Sequence, residues 1–284
     1  MTVQEHNPEP INPLGIDGIE FIEYSTAQPQ AFGAVLQKMG FAPVARHRSR
    51  EVMLYRQGAM NLIVNADGAT SDTPELAAIA LRVRDAGHAF RHSLELGAWE
   101  MPTRAAAMEL HIPGIHGVGD SLLYFVDRYR DFSIYDVDFV ALPGVPVEVP
   151  AVARLHWLGV VQTVQDDRSA DWIDFYRHVL GFTELPEGKY FGVLPKGTLL
   201  ESPCHKFYLQ LLEPPPGAED VHWDEGLLRV GLGAPDVPAA VKALQERGVL
   251  FVDHGAVQPS NKGALTQVYQ GGVTFELVVS HLRA

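Results

Sequence analysis

Asp85-Ala-Gly-His-Ala-Phe-Arg-His-Ser-Leu-Glu-Leu-Gly97 and Asp236-Val-Pro-Ala-Ala-Val-Lys-Ala-Leu-Gln-Glu-Arg-Gly248 are two spellings of one unit. Each opens on an aspartate, closes on a glycine twelve positions later and carries apolar residues at helical spacing, Phe90 and Leu94 in one, Val241 and Leu244 in the other. Aspartate satisfies the free N–H groups at a helix start, and glycine accepts the left-handed turn at its end, so the spacing predicts two short helices of matching length. A second pair interleaves with the first. Gly40-Phe41 closes a stretch carrying Phe32, Val35, Leu36 and Met39, and Gly181-Phe182 closes one carrying Trp172, Phe175, Tyr176, Val179 and Leu180. The order is A, B, A, B, with the second half displaced by 141 to 151 residues, which is the mark of an internal duplication.

Strand-like runs surround these helices: 19–24, 52–55, 61–64, 77–83 and 122–126 in the first half, then 155–161, 206–212, 227–232 and 274–279 in the second. Strand, helix and further strands, four times over, predict an α+β chain of four βαβββ modules. Between the halves, Ala141-Leu-Pro-Gly-Val-Pro-Val-Glu-Val-Pro150 contains three prolines that keep it extended. The expected organisation is an arm over residues 1–14, a domain over 15–140, a linker over 141–151 and a second domain over 152–284.

Composition narrows the function classes. Twenty-two Lys and Arg against 35 Asp and Glu leave a formal charge of −13, which repels nucleic acid and anionic membranes. A lone cysteine, Cys204, makes no internal disulfide, and the polar first residues lack the apolar run of a signal peptide, so the expectation is a cytoplasmic protein. A small anionic ligand would need a local cation, and Arg229 is the candidate.

Several words of the sequence resemble a known family. Asn12-Pro-Leu-Gly-Ile-Asp-Gly, Arg46-His-Arg-Ser, Leu54-Tyr-Arg-Gln-Gly, Asn61-Leu-Ile-Val-Asn, His111-Ile-Pro-Gly-Ile and Ser121-Leu-Leu-Tyr-Phe-Val-Asp-Arg-Tyr are similar to the N-terminal domain of bacterial 4-hydroxyphenylpyruvate dioxygenases. In the second half Ser202-Pro-Cys, Thr266-Gln-Val-Tyr and Thr274-Phe-Glu-Leu match in order. The resemblance implies two vicinal-oxygen-chelate half-barrel domains, a homodimer, a small aromatic or 2-oxo carboxylate ligand, and Fe(II) in the second domain held by two histidines and a glutamate. Such a set leaves iron positions open for a bidentate 2-oxoacid and O₂.

Carried over residue by residue, the metal positions fall on His156, on residue 229 and on Glu276. Strand alternation puts His156 on the face opposite Trp157, and Glu276 on the face opposite Phe275 and Leu277. At the second position the family's Gly-x-x-His-x-Ala reads Gly226-Leu-Leu-Arg229-Val-Gly. The duplication fixes this register, since Arg229 lies seven before Asp236 as Ala78 lies seven before Asp85. A guanidinium offers no lone pair and stays charged, so Arg229 cannot ligate a metal. The resemblance also places Gln267 and Arg229 among catalytic positions, and Ser202, Leu212, Gln267 and Arg229 around the substrate, with Leu212 where the family has asparagine. The family continues into a C-terminal helix over the pocket, whereas this sequence stops eight residues past Glu276, so no such lid is expected.

Three functions compete. One is an active metal-dependent dioxygenase using His156, Glu276 and a third ligand such as His222 or His205. Another is an iron-free pocket binding a small carboxylate through Arg229, and the last is a scaffold, as in 3-dehydroshikimate dehydratases that carry a dioxygenase-like domain. The expectation for the pocket is that Arg229 and Glu276 pair where the iron would sit, because each buried charge needs a partner.

Overall fold

The computed structural model describes residues 12–102, 109–186, 192–194, 197–215 and 223–281, so most of the N-terminal arm, and His222, lie outside the described residues. The first half runs β1 (Gly18–Ser25), α1 (Pro29–Lys38), β2 (Ala42–His47), β3 (Val52–Gln57), β4 (Met60–Asn65), β5 (Glu75–Arg82), α2 (Ala86–Glu95), β6 (Gly114–His116), β7 (Leu122–Val126), α3 (Ile134–Asp138) and β8 (Phe139–Ala141). The second runs β9 (His156–Thr163), α4 (Ser169–Leu180), β10 (Thr183–Glu184), β11 (Thr198–Glu201), β12 (Tyr208–Leu212), β13 (Gly226–Ala234), α5 (Val237–Glu246), β14 (Gly263–Leu265) and β15 (Phe275–Val279).

The helix ends are made as the repeat requires. Asp85 accepts a hydrogen bond from the His88 amide at 2.7 Å, and Asp236 accepts one from the Ala239 amide at 3.0 Å. Gly40 and Gly181 take φ of +98° and +77°, and the following Phe41 and Phe182 amides donate back to the Leu36 and Tyr176 carbonyls. Both phenylalanines are buried. Chain reversal and hydrophobic anchoring are thus written in one dipeptide.

Strand order shows the duplication again. One sheet runs β6-β7-β5-β1-β4-β3-β2-β8 and the other β14-β15-β13-β9-β12-β11-β10, identical except for β8 at one edge. The central pairs β1·β5 and β9·β13 are antiparallel, and their outer neighbours are parallel to them. The expected third strand of the second and fourth modules shrinks to single bridges, Glu100 to Ile115 and Phe251 to Thr266. The fold is of the vicinal-oxygen-chelate type.

One face of each sheet meets the helices in a single continuous core that draws on both halves, including Ile22, Leu62, Ile79, Trp157, Val230 and Leu277. Burying such side chains contributes roughly 1.5–3 kcal/mol each before entropy is counted. The segment between the sheets is tied to the first: Leu142 N–H donates to the Val44 carbonyl at 2.8 Å, and Val152 N–H to Gln57 Oε1 at 2.9 Å. Across the halves, Arg247 caps the end of α1 by donating to the Gln37 and Lys38 carbonyls, and Lys206 pairs with Asp17 at 2.6 Å. With the core faces turned toward each other, the remaining faces of the two sheets look away.

Candidate functional site

On the outward face of the second sheet, side chains are set by register. Glu276 lies opposite Gly231, His156 opposite Gly233 and Arg229 opposite Val161, so β13 contributes Arg229, Gly231 and Gly233 to one row of alternating positions. The two glycines leave the middle of β13 flat. A side chain at Gly233 would collide with the His156 ring, and its absence lets the imidazole cross the strand toward Ser280.

Glu276 is almost fully buried. Arg229 Nε stands 3.7 Å from its Oε2, and the Val193 amide donates to its Oε1 at 3.1 Å. A Cβ on Gly192 would strike the same carboxylate, so this loop lies close over it because it carries a glycine there. Burial lowers the Arg229 guanidinium from its ordinary value, opposed by the nearby Glu276 charge. Its Nε is buried without a hydrogen-bond partner among the described residues, so the pair rests on charge attraction rather than a fork of hydrogen bonds.

His156 is also buried and faces two oxygens. Nδ1 lies 3.1 Å from the Arg154 carbonyl and Nε2 3.0 Å from Ser280 Oγ. A carbonyl only accepts, so Nδ1 carries the proton and Nε2 takes the serine hydroxyl. Burial is the largest influence on its titration and lowers its pKa, keeping the ring neutral. Among the described residues, no group of three His, Cys, Asp or Glu side chains comes together as a metal ion would need.

The other sequence-derived positions are dispersed. Ser202 is buried in the turn after β11, where its Oγ accepts from the Lys206 and Phe207 amides at 3.3 and 3.2 Å. Leu212 ends β12, and Gln267 is exposed, with its amide bound to the Leu250 carbonyl. His205 pairs with Glu201 at 3.0 Å on that same turn. Sequence reasoning missed Ser280, Gly192 and Val193. Strand parity from Glu276 through Val278 points to Ser280, but nothing in the sequence brings residues 192–193 over the carboxylate. Among the described residues, Leu158, Val161, Tyr208, Gln210, Glu276 and Val278 enclose a space of about 30 Å³.

A family model described as hydroxyphenylpyruvate dioxygenase, HPPD, N-terminal, matches residues 11–140. The 4-hydroxyphenylpyruvate dioxygenase of Pseudomonas aeruginosa is 31% identical over 270 residues, covering 88% of this chain and 74% of that protein. The 3-dehydroshikimate dehydratase of the same species is 39% identical over 258 residues, covering 84% of this chain and 40% of the dehydratase. Among solved structures, a xylose isomerase-like TIM barrel/4-hydroxyphenylpyruvate dioxygenase fusion protein superposes with a TM-score of 0.73 at 21% identity, over 96% of this chain and 50% of that one. This last likeness is one of fold.

Proposed function

The chain belongs to the 4-hydroxyphenylpyruvate dioxygenase-like family of vicinal-oxygen-chelate proteins, and from that premise we propose that it is an iron-free member serving as an accessory or scaffold module rather than as a dioxygenase. The observation that carries this reading is the Arg229–Glu276 pair at 3.7 Å. It places a fixed positive charge on the carboxylate that the family resemblance assigns to iron, and arginine has no lone pair with which to replace the missing histidine. The available donors do not fit Fe(II): His156 spends Nε2 on Ser280, and Glu276 is held by Arg229 and the Val193 amide.

The engagement of Arg229 with Glu276 favours the accessory role over carboxylate binding at Arg229, since a ligand carboxylate would have to compete with a buried one already in place. The 39% identity to part of a dehydratase supports the same reading, because there too a module of this kind occupies a fraction of a longer protein. Association into a homodimer, with the 15–140 unit as the contact, is part of the proposal on family analogy.

Fe(II) titration by calorimetry, followed by oxygen uptake with 4-hydroxyphenylpyruvate, tests it. The expected outcome is no stoichiometric metal binding and no oxygen consumption above the buffer rate, with Arg229→His gaining measurable Fe(II) or Zn(II) affinity. Stoichiometric binding by the wild-type chain with formation of hydroxylated product overturns the reading in favour of an active enzyme.

A further inference from the structure

The first sheet's outward face holds a cavity of about 570 Å³, within the roughly 300–1,000 Å³ usual for small-molecule sites. Matching the two sheets pair by pair explains its chemistry. Tyr124, opposite Ala80, stands where Glu276 stands opposite Gly231, and Glu23, opposite Ala78, stands where Val161 stands opposite Arg229. The carboxylate has moved to the first strand, and alanine occupies the place of the arginine. Glu23 therefore has no cation from β5 facing it. Its Oε1 accepts from Asn65 Nδ2 at 2.9 Å, a neutral partner.

The arginine of the lining, Arg50, is already committed. It binds Glu109 through Nε at 3.0 Å and through Nη2, and lies 4.0 Å from Asp67. Among the described lining residues, four carboxyl groups, those of Glu23, Asp67, Glu109 and Asp138, stand against one arginine, a formal balance of −3 with histidines neutral. The floor beside Glu23 is aromatic, with the Phe21 and Tyr124 ring centroids 5.9 Å apart, and Ile63 and Phe139 add apolar wall. Burial pushes the Tyr124 hydroxyl well above its ordinary pKa, so it remains a neutral phenol.

We propose that this face binds a small organic cation, an arylalkyl or alkyl amine, with its ammonium on Glu23 and its apolar body against Phe21, Tyr124 and Ile63. A carboxylate beside two aromatic rings provides charge pairing and cation–π attraction at once, and the acidic balance disfavours the anionic ligands expected from the family resemblance. Arg50 offsets only part of the cost of holding the Glu23 carboxylate partly out of water, because it is bound to Glu109, and a bound ammonium would recover more of it. The site is independent of Arg229 and Glu276, which lie on the other sheet.

Calorimetric titration with tyramine and with 4-hydroxyphenylacetate, two probes sharing a phenol ring and differing in head charge, tests the proposal. Tyramine is expected to bind saturably and 4-hydroxyphenylacetate not to. Glu23→Gln, which keeps the Asn65 hydrogen bond, should weaken tyramine by about tenfold or more. Ile63→Trp should block it, and Arg229→His should leave it unchanged. The two Glu23 forms are compared by circular dichroism, so that loss of fold is not taken for loss of binding. Equal binding of both probes, unaltered tyramine affinity in Glu23→Gln, or no saturation by tyramine, phenethylamine and hexylamine alike overturns it.

Discussion

Arg229 and Glu276 illustrate how little room a buried charge has to be neutral in its effects. With the pair intact each ion offsets the other's desolvation; with one removed, the survivor is stranded. Arg229→Ala is therefore expected to destabilise the fold by about 3–5 kcal/mol, whereas Arg229→Met combined with Glu276→Leu should recover most of that loss. Urea unfolding of the three proteins measures it, and an unchanged midpoint in the single variant would remove the pair from any structural role. Glu23 behaves in the opposite sense. Its pKa is raised, chiefly by burial, with Asn65 and Arg50 opposing, so the folded state binds more protons than the unfolded chain just above the ordinary glutamate value of 4.5. Stability due to this residue falls as pH rises from that value through the raised one. Glu23→Gln should thus raise the melting temperature at neutral pH and lose that advantage near pH 4. A melting difference independent of pH would contradict it. Glu276 could be read from strand parity, as a carboxylate in mid-strand between apolar neighbours. Glu23 carries the same signal in Phe21-Ile-Glu-Tyr, in the half where the family resemblance implies no metal position.

At the scale of elements, what the sequence made legible was punctuation. Asp85, Asp236, Gly40, Gly97, Gly181 and Gly248 mark helix ends by local chemistry, and the structure places them there. The strands that escaped detection lack an apolar alternation to read: β2 contains Pro43, β10 is two exposed residues, β6, β8 and β14 are only three residues long, and β11 places its buried Leu199 and Leu200 side by side. They exist because a neighbouring strand offers hydrogen bonds, which is information held elsewhere in the chain. The caps invite a direct measurement. Asp85→Ala and Asp236→Ala should each cost about 1 kcal/mol, with Asn at either position close to neutral. Unequal losses in denaturant midpoints would show that one helix start is held by more than its cap. Gly233→Ala should act on a different quantity, displacing His156 from Ser280 and altering the histidine's titration by NMR.

At the scale of the molecule, no described helix is long and apolar enough to cross a membrane, and both halves share the larger core, while a smaller cluster with Phe21, Leu54, Ile63, Ile134 and Phe139 covers the other face of the first sheet. Among the described residues, no cluster of three His, Cys, Asp or Glu side chains stands where an ion could tie the core together. Melting with and without EDTA is expected to give the same temperature and a single transition whose van't Hoff and calorimetric enthalpies agree. A chelator-induced fall, or two separated transitions, would mean a structural ion or two independently stable halves. The duplicated strand order was legible because repeated spacing survives divergence. The cavity on the first sheet was not, since it depends on which side chains meet across strands.

Arg247 on the end of α1, Lys206 on Asp17 and the common helix layer join the two sheets through their backs. An arrangement of this kind leaves each front surface free to drift under its own selection, because a substitution on one is separated from the other by the whole thickness of the core. Loss of one chemistry and gain of another need not then pass through an unfolded or inactive ancestor, and a duplicated module becomes a place where an old function can lapse while a new one is tried.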